Sequence, residues 1–407
     1  MSRRTRQGTD HVGGLDGARA IAAYGVIATH AGFNTGRSLD HGPFAPLLAR
    51  LDFGVTIFFL LSGYLLYRPF ARSAIRERPA PRLGPFWWRR ALRILPAYWL
   101  AVVVTLALLS DRRGRPSDWF SYLSLVQTYN HHDVDTGLVQ MWTLVVEVAF
   151  YAALPLLAMI PRLAGRASPV RAHVSLLIGM AVVALGADLV THTVTAAAPA
   201  QLWLPAYLDW FALGMFLAVA SCVPVDHARW RRALDGWATS PGTCWIAGAL
   251  TFWLATLPLA GPYNLIPATT WEWTLKHYLY GAAAFFFLLP VMLGDPRAWS
   301  HRLLSHAVLR RLGEISYGVY LWHLPLLIFI QHRMHWRVFG GHFLPLFVLT
   351  CLGASAAAAG SYYVLERPLL RRFSRPWRRG GQQRDQQQGD GEEAQHLDRA
   401  GVGEGAG

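Results

Sequence analysis

Charge is scarce in this chain: Asp, Glu, Lys and Arg make up 15% of its 407 residues, whereas a soluble domain carries about a quarter. With 53% hydrophobic residues and a mean hydropathy of +0.25, the shortfall points to lipid as the main solvent and argues against a string of soluble domains. Lysine is almost missing. Lys276 stands alone, so the net charge of +14 comes from arginine. Those arginines lie between apolar runs and not with aromatics on one polar face, which argues against nucleic-acid binding. Cysteine is also rare: Cys222, Cys244 and Cys351 show no CxxC spacing and no disulfide framework, so they read as buried apolar thiols. A cleavable signal peptide is not evident, because the first apolar run contains Arg19 and His30 and lacks a small-residue cleavage site. No internal repeat stands out.

What is present is a succession of long apolar runs. A membrane-crossing helix needs roughly 20 mainly apolar residues, and candidate spans fall at 18–35, 51–67, 94–110, 140–160, 172–190, 202–221, 243–260, 274–293, 312–331 and 343–365. The expected fold is therefore all-α, a polytopic transmembrane bundle of about ten spans with both termini cytoplasmic. The arginines set the orientation. With the N-terminus inside, 29 of them fall on inner segments and seven on outer ones, as the positive-inside rule requires. Residues 1–12 form a short cytoplasmic segment and 13–372 the membrane domain. The tail 373–407, rich in Gln, Arg, Gly, Asp and Glu, cannot bury a core and is expected to be disordered.

Ionisable residues inside spans are costly, so each is a functional candidate. The first span holds Arg19 and His30, the fourth Glu147, and the ninth His323, just before a helix-bending Pro325. At 1.5 Å per residue, His30 lies roughly 18 Å and His323 roughly 16 Å above the inner ends of their spans. Glu147 lies about 20 Å above the inner face of a ~30 Å core. The common depth predicts a shared polar site for proton transfer, with His30 as base and Glu147 orienting it or stabilising its charged form. The plainer reading is that His30 bonds another helix across the bundle.

A second constellation enters the third span in Phe86-Trp87-Trp88-Arg89-Arg90-Ala91-Leu92-Arg93-Ile94-Leu95-Pro96. Arg90 and Arg93, three apart, share a helix face, while Arg89 points aside. Arginine's planar fork suits phosphate, although arginines beside aromatics also serve as membrane anchors. Phosphates gripped at the inner rim and reactive chemistry deeper in the bundle would suit a long carrier with a phosphorylated head and a reactive tip. Coenzyme A has that shape.

At these residues the chain resembles the bacterial membrane acyltransferase-3 family. The resemblance rests on Leu15-Asp16-Gly17-Ala18-Arg19 through His30, Phe58-Phe59-Leu60-Leu61-Ser62-Gly63-Tyr64 and Arg90/Arg93-Ile94-Leu95-Pro96. It continues with Trp142-Thr143-Leu144-Val145-Val146-Glu147, Ile315-Ser316-Tyr317 through His323, and Glu366-Arg367-Pro368. It spans roughly residues 13–372. It implies a membrane O-acyltransferase that moves an acyl group, acetyl foremost, from cytosolic acyl-CoA to a hydroxyl of a sugar, glycan, lipid or glycosylated metabolite. In that reading His30 and Glu147 are catalytic, His30 taking the hydroxyl proton or carrying the acyl group. Arg19, Arg90 and Arg93 bind the donor, His323 contacts substrate, and no cofactor is tightly bound. Val148 stands where the family usually has a second acidic residue, so one carboxylate must suffice, and no esterase-like domain is expected beyond the bundle. The expected location is the bacterial plasma membrane, in contact with membrane lipid.

Weaker signals compete with this reading. His131-His132-Asp133 and His332-x-x-His335 lack a coherent further ligand, so no metal is expected. Ser62 in Leu-Ser-Gly is better explained by close helix packing than by covalent catalysis. The rival class is a proton-coupled exporter of a glycan or metabolite, which a bundle with midplane His and Glu would also suit. A scaffold role would leave the intramembrane charges unexplained.

Overall fold

The computed structural model describes residues 13–40, 42–76, 78–109, 115–129, 136–164, 169–194, 200–263 and 266–373. The expected segment 1–12, the tail beyond 373 and the His131-His132-Asp133 run lie outside them. Among the described residues there is no strand, and ten helices reach fifteen residues or more. They are α1 (Gly13–Asn34), α2 (Gly54–Ile75), α3 (Leu83–Val104), α4 (Trp142–Ala164), α5 (Pro169–Thr193), α6 (Leu208–Cys222), α7 (Pro241–Ala255), α8 (Thr270–Met292), α9 (Ser316–Arg333) and α10 (Phe343–Ser361).

Each of the ten expected spans falls on one of these helices, but fewer than ten meet the requirement for crossing a membrane alone. Seven stretches are long and apolar enough. An eighth is reached if the short helix Ala307–Glu314 and α9, bent by 68° at Ile315, count as one broken span. The other two are α7 and α1. At 15 residues, α7 is only about 22 Å long. In α1, by contrast, length suffices and composition does not, because Asp16, Arg19, His30 and Asn34 interrupt its apolar surface. Its position explains the tolerance: Ala20, Ala22, Ala23, Val26, Ile27 and Ala31 are buried in the bundle. A helix shielded by protein need not suit lipid. The opposite pattern marks α10 and the turn after it, where Leu344, Leu352 and Val364 project outward as an apolar surface.

Glycines set the closest approaches. A Cβ on Gly63 of α2 would sit 2.3 Å from the Phe211 carbonyl oxygen, and one on Gly214 of α6 would sit 2.0 Å from the Leu60 oxygen. The backbones of α2 and α6 touch, the small-residue packing that membrane helices use in place of a hydrophobic driving force.

Two buried prolines create carbonyls that the sequence then satisfies. Proline lacks the N–H that would bond the carbonyl four residues earlier. Pro325 thus frees Leu321, whose oxygen accepts from Gln140 Nε2 at 3.1 Å. Pro155 frees Tyr151, whose oxygen accepts from Trp87 Nε1 at 3.0 Å. The first bond ties α9 to the turn Thr136–Met141 before α4. The sharp bend of the ninth span lies at Ile315, not at Pro325, through which α9 runs on.

Candidate active site

The helices enclose two chambers with a narrow neck between them that shares wall residues with each. One, at the arginine-rich end, has a volume of about 650 Å³ and is lined by Arg19, Arg90 and Arg93 together with Glu147, Tyr151 and Glu366. The other, of about 500 Å³, is lined by His30, Asp52, Gln140 and Lys276 and by a group of aromatic rings. Between them lies a space of about 40 Å³, bounded by Arg19 and Glu147 on one side and by Val55 and Tyr320 on the other.

The arginines of α3 divide between the chamber and the surface. Arg90 and Arg93 both face the first chamber, while Arg89 is exposed and spends its Nε on the Pro85 carbonyl of its own helix, 3.0 Å away. The Arg90 guanidinium carbon lies 6.0 Å from the centre of the Tyr151 ring, in reach of a cation–π attraction. Arg19 comes in from α1, and its Nε is buried without a hydrogen-bond partner, an N–H still to be spent. Arg367 adds a fourth guanidinium, and Asp16, Glu147, Glu314 and Glu366 face the same chamber. With four of each sign, an anion must be held by the arginine forks directly and not by a net field.

Glu147 is oriented from two sides. Ser62 Oγ donates to its Oε1 at 2.6 Å, and the Tyr151 hydroxyl, one turn along α4, donates to the same oxygen. Leu-Ser-Gly thus has two uses: Gly63 permits the helix contact, and Ser62 fixes a carboxylate. This corrects the expected partnership with His30. Glu147 belongs to the arginine chamber and the neck, whereas His30 lines the other chamber. Helix rise gives a height along each axis and no lateral direction, and α4 turns Glu147 toward α2.

His30 and His323 do meet, with ring centres 5.2 Å apart. His323 Nδ1 is 2.7 Å from the Tyr320 carbonyl, so that nitrogen donates and Nε2 holds the lone pair. His323 is 0% exposed and its Nε2 has no hydrogen-bond partner. It stands behind His30 and not on the chamber wall, which suits a positioning role better than the expected contact with substrate.

The carboxylate that shares a chamber with His30 is Asp52, the second residue of the expected span 51–67 and not among the candidates there. Its Oδ1 accepts from the Tyr280 hydroxyl at 2.6 Å. The intramembrane-charge rule would also have flagged Asp209 and His277, whose side chains pair at 2.8 Å, the histidine stacked on Trp210. Among the described residues, no group of three or more His, Cys, Asp or Glu is placed to hold a metal.

Such a bundle, with membrane-length helices packed around arginine-lined and histidine-lined chambers, is that of a multi-pass membrane protein. A family model described as an acyltransferase domain matches residues 12–365. The chain belongs to this acyltransferase family, the one its motifs resemble, and is a multi-pass membrane enzyme of that class. Three relatives show the range of names. YrhL of Bacillus subtilis, provisionally named a peptidoglycan O-acetyltransferase, is 25% identical, the match covering 90% of this chain and 56% of its own. The peptidoglycan O-acetyltransferase OatA of Listeria monocytogenes is 25% identical over 80% of this chain and 51% of its own. The O-acetyltransferase OatA of Staphylococcus aureus is 24% identical over 88% and 57%. The chain spans about half the length of these relatives. No solved structure matches it.

Proposed function

We propose that this protein transfers an acetyl group from acetyl-CoA to a hydroxyl of a cell-envelope glycan, peptidoglycan being the acceptor that the relatives' names suggest. The observation that carries the reading is the division of the cavity. Arg19 and His30 stand eleven residues apart on one helix, about 17 Å along its axis, with phosphate-suited forks at one end and a proton acceptor at the other. A donor that satisfies both ends is long and slender, phosphorylated at one end and reactive at the other. The arginine-rich end faces the cytosol, in keeping with the positive-inside rule, and α1 and α7 join the other spans across the bilayer.

In this reading Arg19, Arg90 and Arg93 hold the donor's phosphates, and Glu147, fixed by Ser62 and Tyr151, shares the chamber wall with Arg19. The thioester reaches His30 through the neck. His30 takes the proton of the acceptor hydroxyl as its oxygen attacks the thioester carbonyl carbon. The C–O bond forms, the C–S bond breaks, and the proton passes from His30 to the departing sulfur. An ester and the free thiol of CoA result, with no change of oxidation state. Asp52, in the same chamber, attracts the positive charge that His30 acquires on the way.

The test is a transfer assay on purified protein in lipid nanodiscs, with labelled acetyl-CoA and soluble glycan fragments. CoA release matched by ester formation is expected. Movement of a glycan across a vesicle membrane without CoA dependence would replace the reading with an exporter.

A further inference from the structure

The neck is less than a tenth the volume of either chamber, and at about 40 Å³ it offers room for only a few water-sized groups. Its walls are fixed by bonds to three different elements. Thr143 Oγ1 donates to the Tyr320 hydroxyl at 2.9 Å, and that hydroxyl donates to the Gln140 carbonyl at 3.2 Å. The Tyr317 hydroxyl donates to the Ile94 carbonyl at 2.9 Å. Opposite them, the Phe58 ring meets Tyr320 edge to face, with centres 5.8 Å apart, and Leu144 fills the remaining wall from a buried position. A close-packed wall of this kind resists a wider group, because accommodating it shifts several bonded neighbours at once.

We propose that this neck selects the acyl group by its cross-section. The inference rests on the reading above, in which the thioester must pass from the arginine chamber to His30. A straight acyl group is no wider than the unbranched cysteamine end of the carrier arm that follows it into the neck. A group branched next to the carbonyl, or one carrying a ring, is wider than that end and stops at Phe58, Leu144 and Tyr320. Selection therefore falls on branching before length.

The experiment compares acetyl-, butyryl-, isobutyryl- and benzoyl-CoA as donors for the wild-type protein and for Leu144→Ala, Phe58→Leu and Val55→Phe. Butyryl and isobutyryl groups have the same atoms and differ only in shape. The wild type is expected to use butyryl at least about tenfold better than isobutyryl, the lower end of what a pocket achieves for one misplaced methyl. Leu144→Ala and the milder Phe58→Leu should narrow that ratio about tenfold. Val55→Phe, which fills the neck, should lose transfer while binding CoA as the wild type does. Failure of the wild type to turn over acetyl-CoA would refute the donor assignment itself. Normal acetyl turnover with an isobutyryl ratio unmoved in both widened variants, or full transfer by Val55→Phe, would overturn the filter alone.

Discussion

Gly63→Ala tests whether the α2–α6 contact holds the site in register. The added Cβ would lie 2.3 Å from the Phe211 carbonyl oxygen, with the Phe211 carbonyl carbon and Cα at 3.1 and 3.2 Å. All three are backbone atoms, so no rotamer change relieves the clash. Restoring even 3.0 Å to the oxygen requires α2 to withdraw from α6 by about 0.7 Å, and overpacking of this kind costs about 1–3 kcal/mol. Ser62, one residue away, moves with the helix, and its 2.6 Å bond to Glu147 is strained by up to about the same 0.7 Å. Misplacement by about 1 Å can cost on the order of a hundredfold in rate. Thermal unfolding in detergent and acetyl transfer in nanodiscs should therefore both fall, the second out of proportion to the first. The matched control is Gly179→Ala on α5, where an added Cβ meets nothing within 4 Å. There the better helix propensity of alanine should stabilise by up to about 1 kcal/mol and leave transfer alone. Wild-type melting and wild-type turnover in Gly63→Ala would refute the reasoning.

Gln140→Leu should destabilise the protein by about 1–3 kcal/mol, because the Leu321 carbonyl freed by Pro325 loses its donor in a buried setting; chemical denaturation in mixed micelles reads it. Arg50→Met should be costlier, about 3–5 kcal/mol, since one guanidinium serves the carbonyls of Ala255, Ala260 and Gly261 at 3.0, 3.1 and 2.5 Å. An unchanged melting temperature would show those carbonyls to be served otherwise. Ser62→Ala leaves the Tyr151 bond to Glu147 in place and should raise the KM for acetyl-CoA several-fold while kcat changes less, as steady-state kinetics would reveal.

Much of this organisation is legible in the sequence, for physical reasons that also mark its limits. Arg90 and Arg93 face one chamber, as a three-residue step on a helix allows, but spacing does not by itself set Arg89 aside, since it lies four residues before Arg93; its exposure and its bond to the Pro85 carbonyl do. Helix rise likewise set His30 and His323 at one level, and their rings lie 5.2 Å apart. The same arithmetic brought Glu147 to that level and implied a meeting that does not occur. Rise along an axis carries no information about which neighbour a side chain turns toward, and α4 turns Glu147 to Ser62 on α2. Asp52 was legible by the rule for ionisable residues in spans, as the second residue of 51–67, but only Tyr280 and the chamber wall beside it set it apart from a membrane flank. The expectation of about ten spans counted every apolar run, whereas by length and composition seven helices qualify, or eight with the broken pair.

Separating binding from chemistry in two variants tests the central claim most directly. CoA affinity and single-turnover acetyl transfer should be measured on His30→Gln and Arg93→Ala in nanodiscs. His30→Gln is predicted to bind CoA within about twofold of the wild type while its transfer rate falls by about 10²–10⁴, the usual contribution of a general base. Arg93→Ala should show the reverse, weakening CoA by at least about tenfold, a loss of more than about 1.4 kcal/mol, with most of its rate restored at saturating donor. Wild-type transfer by His30→Gln, or wild-type CoA binding by Arg93→Ala, would contradict the assignment of the two chambers.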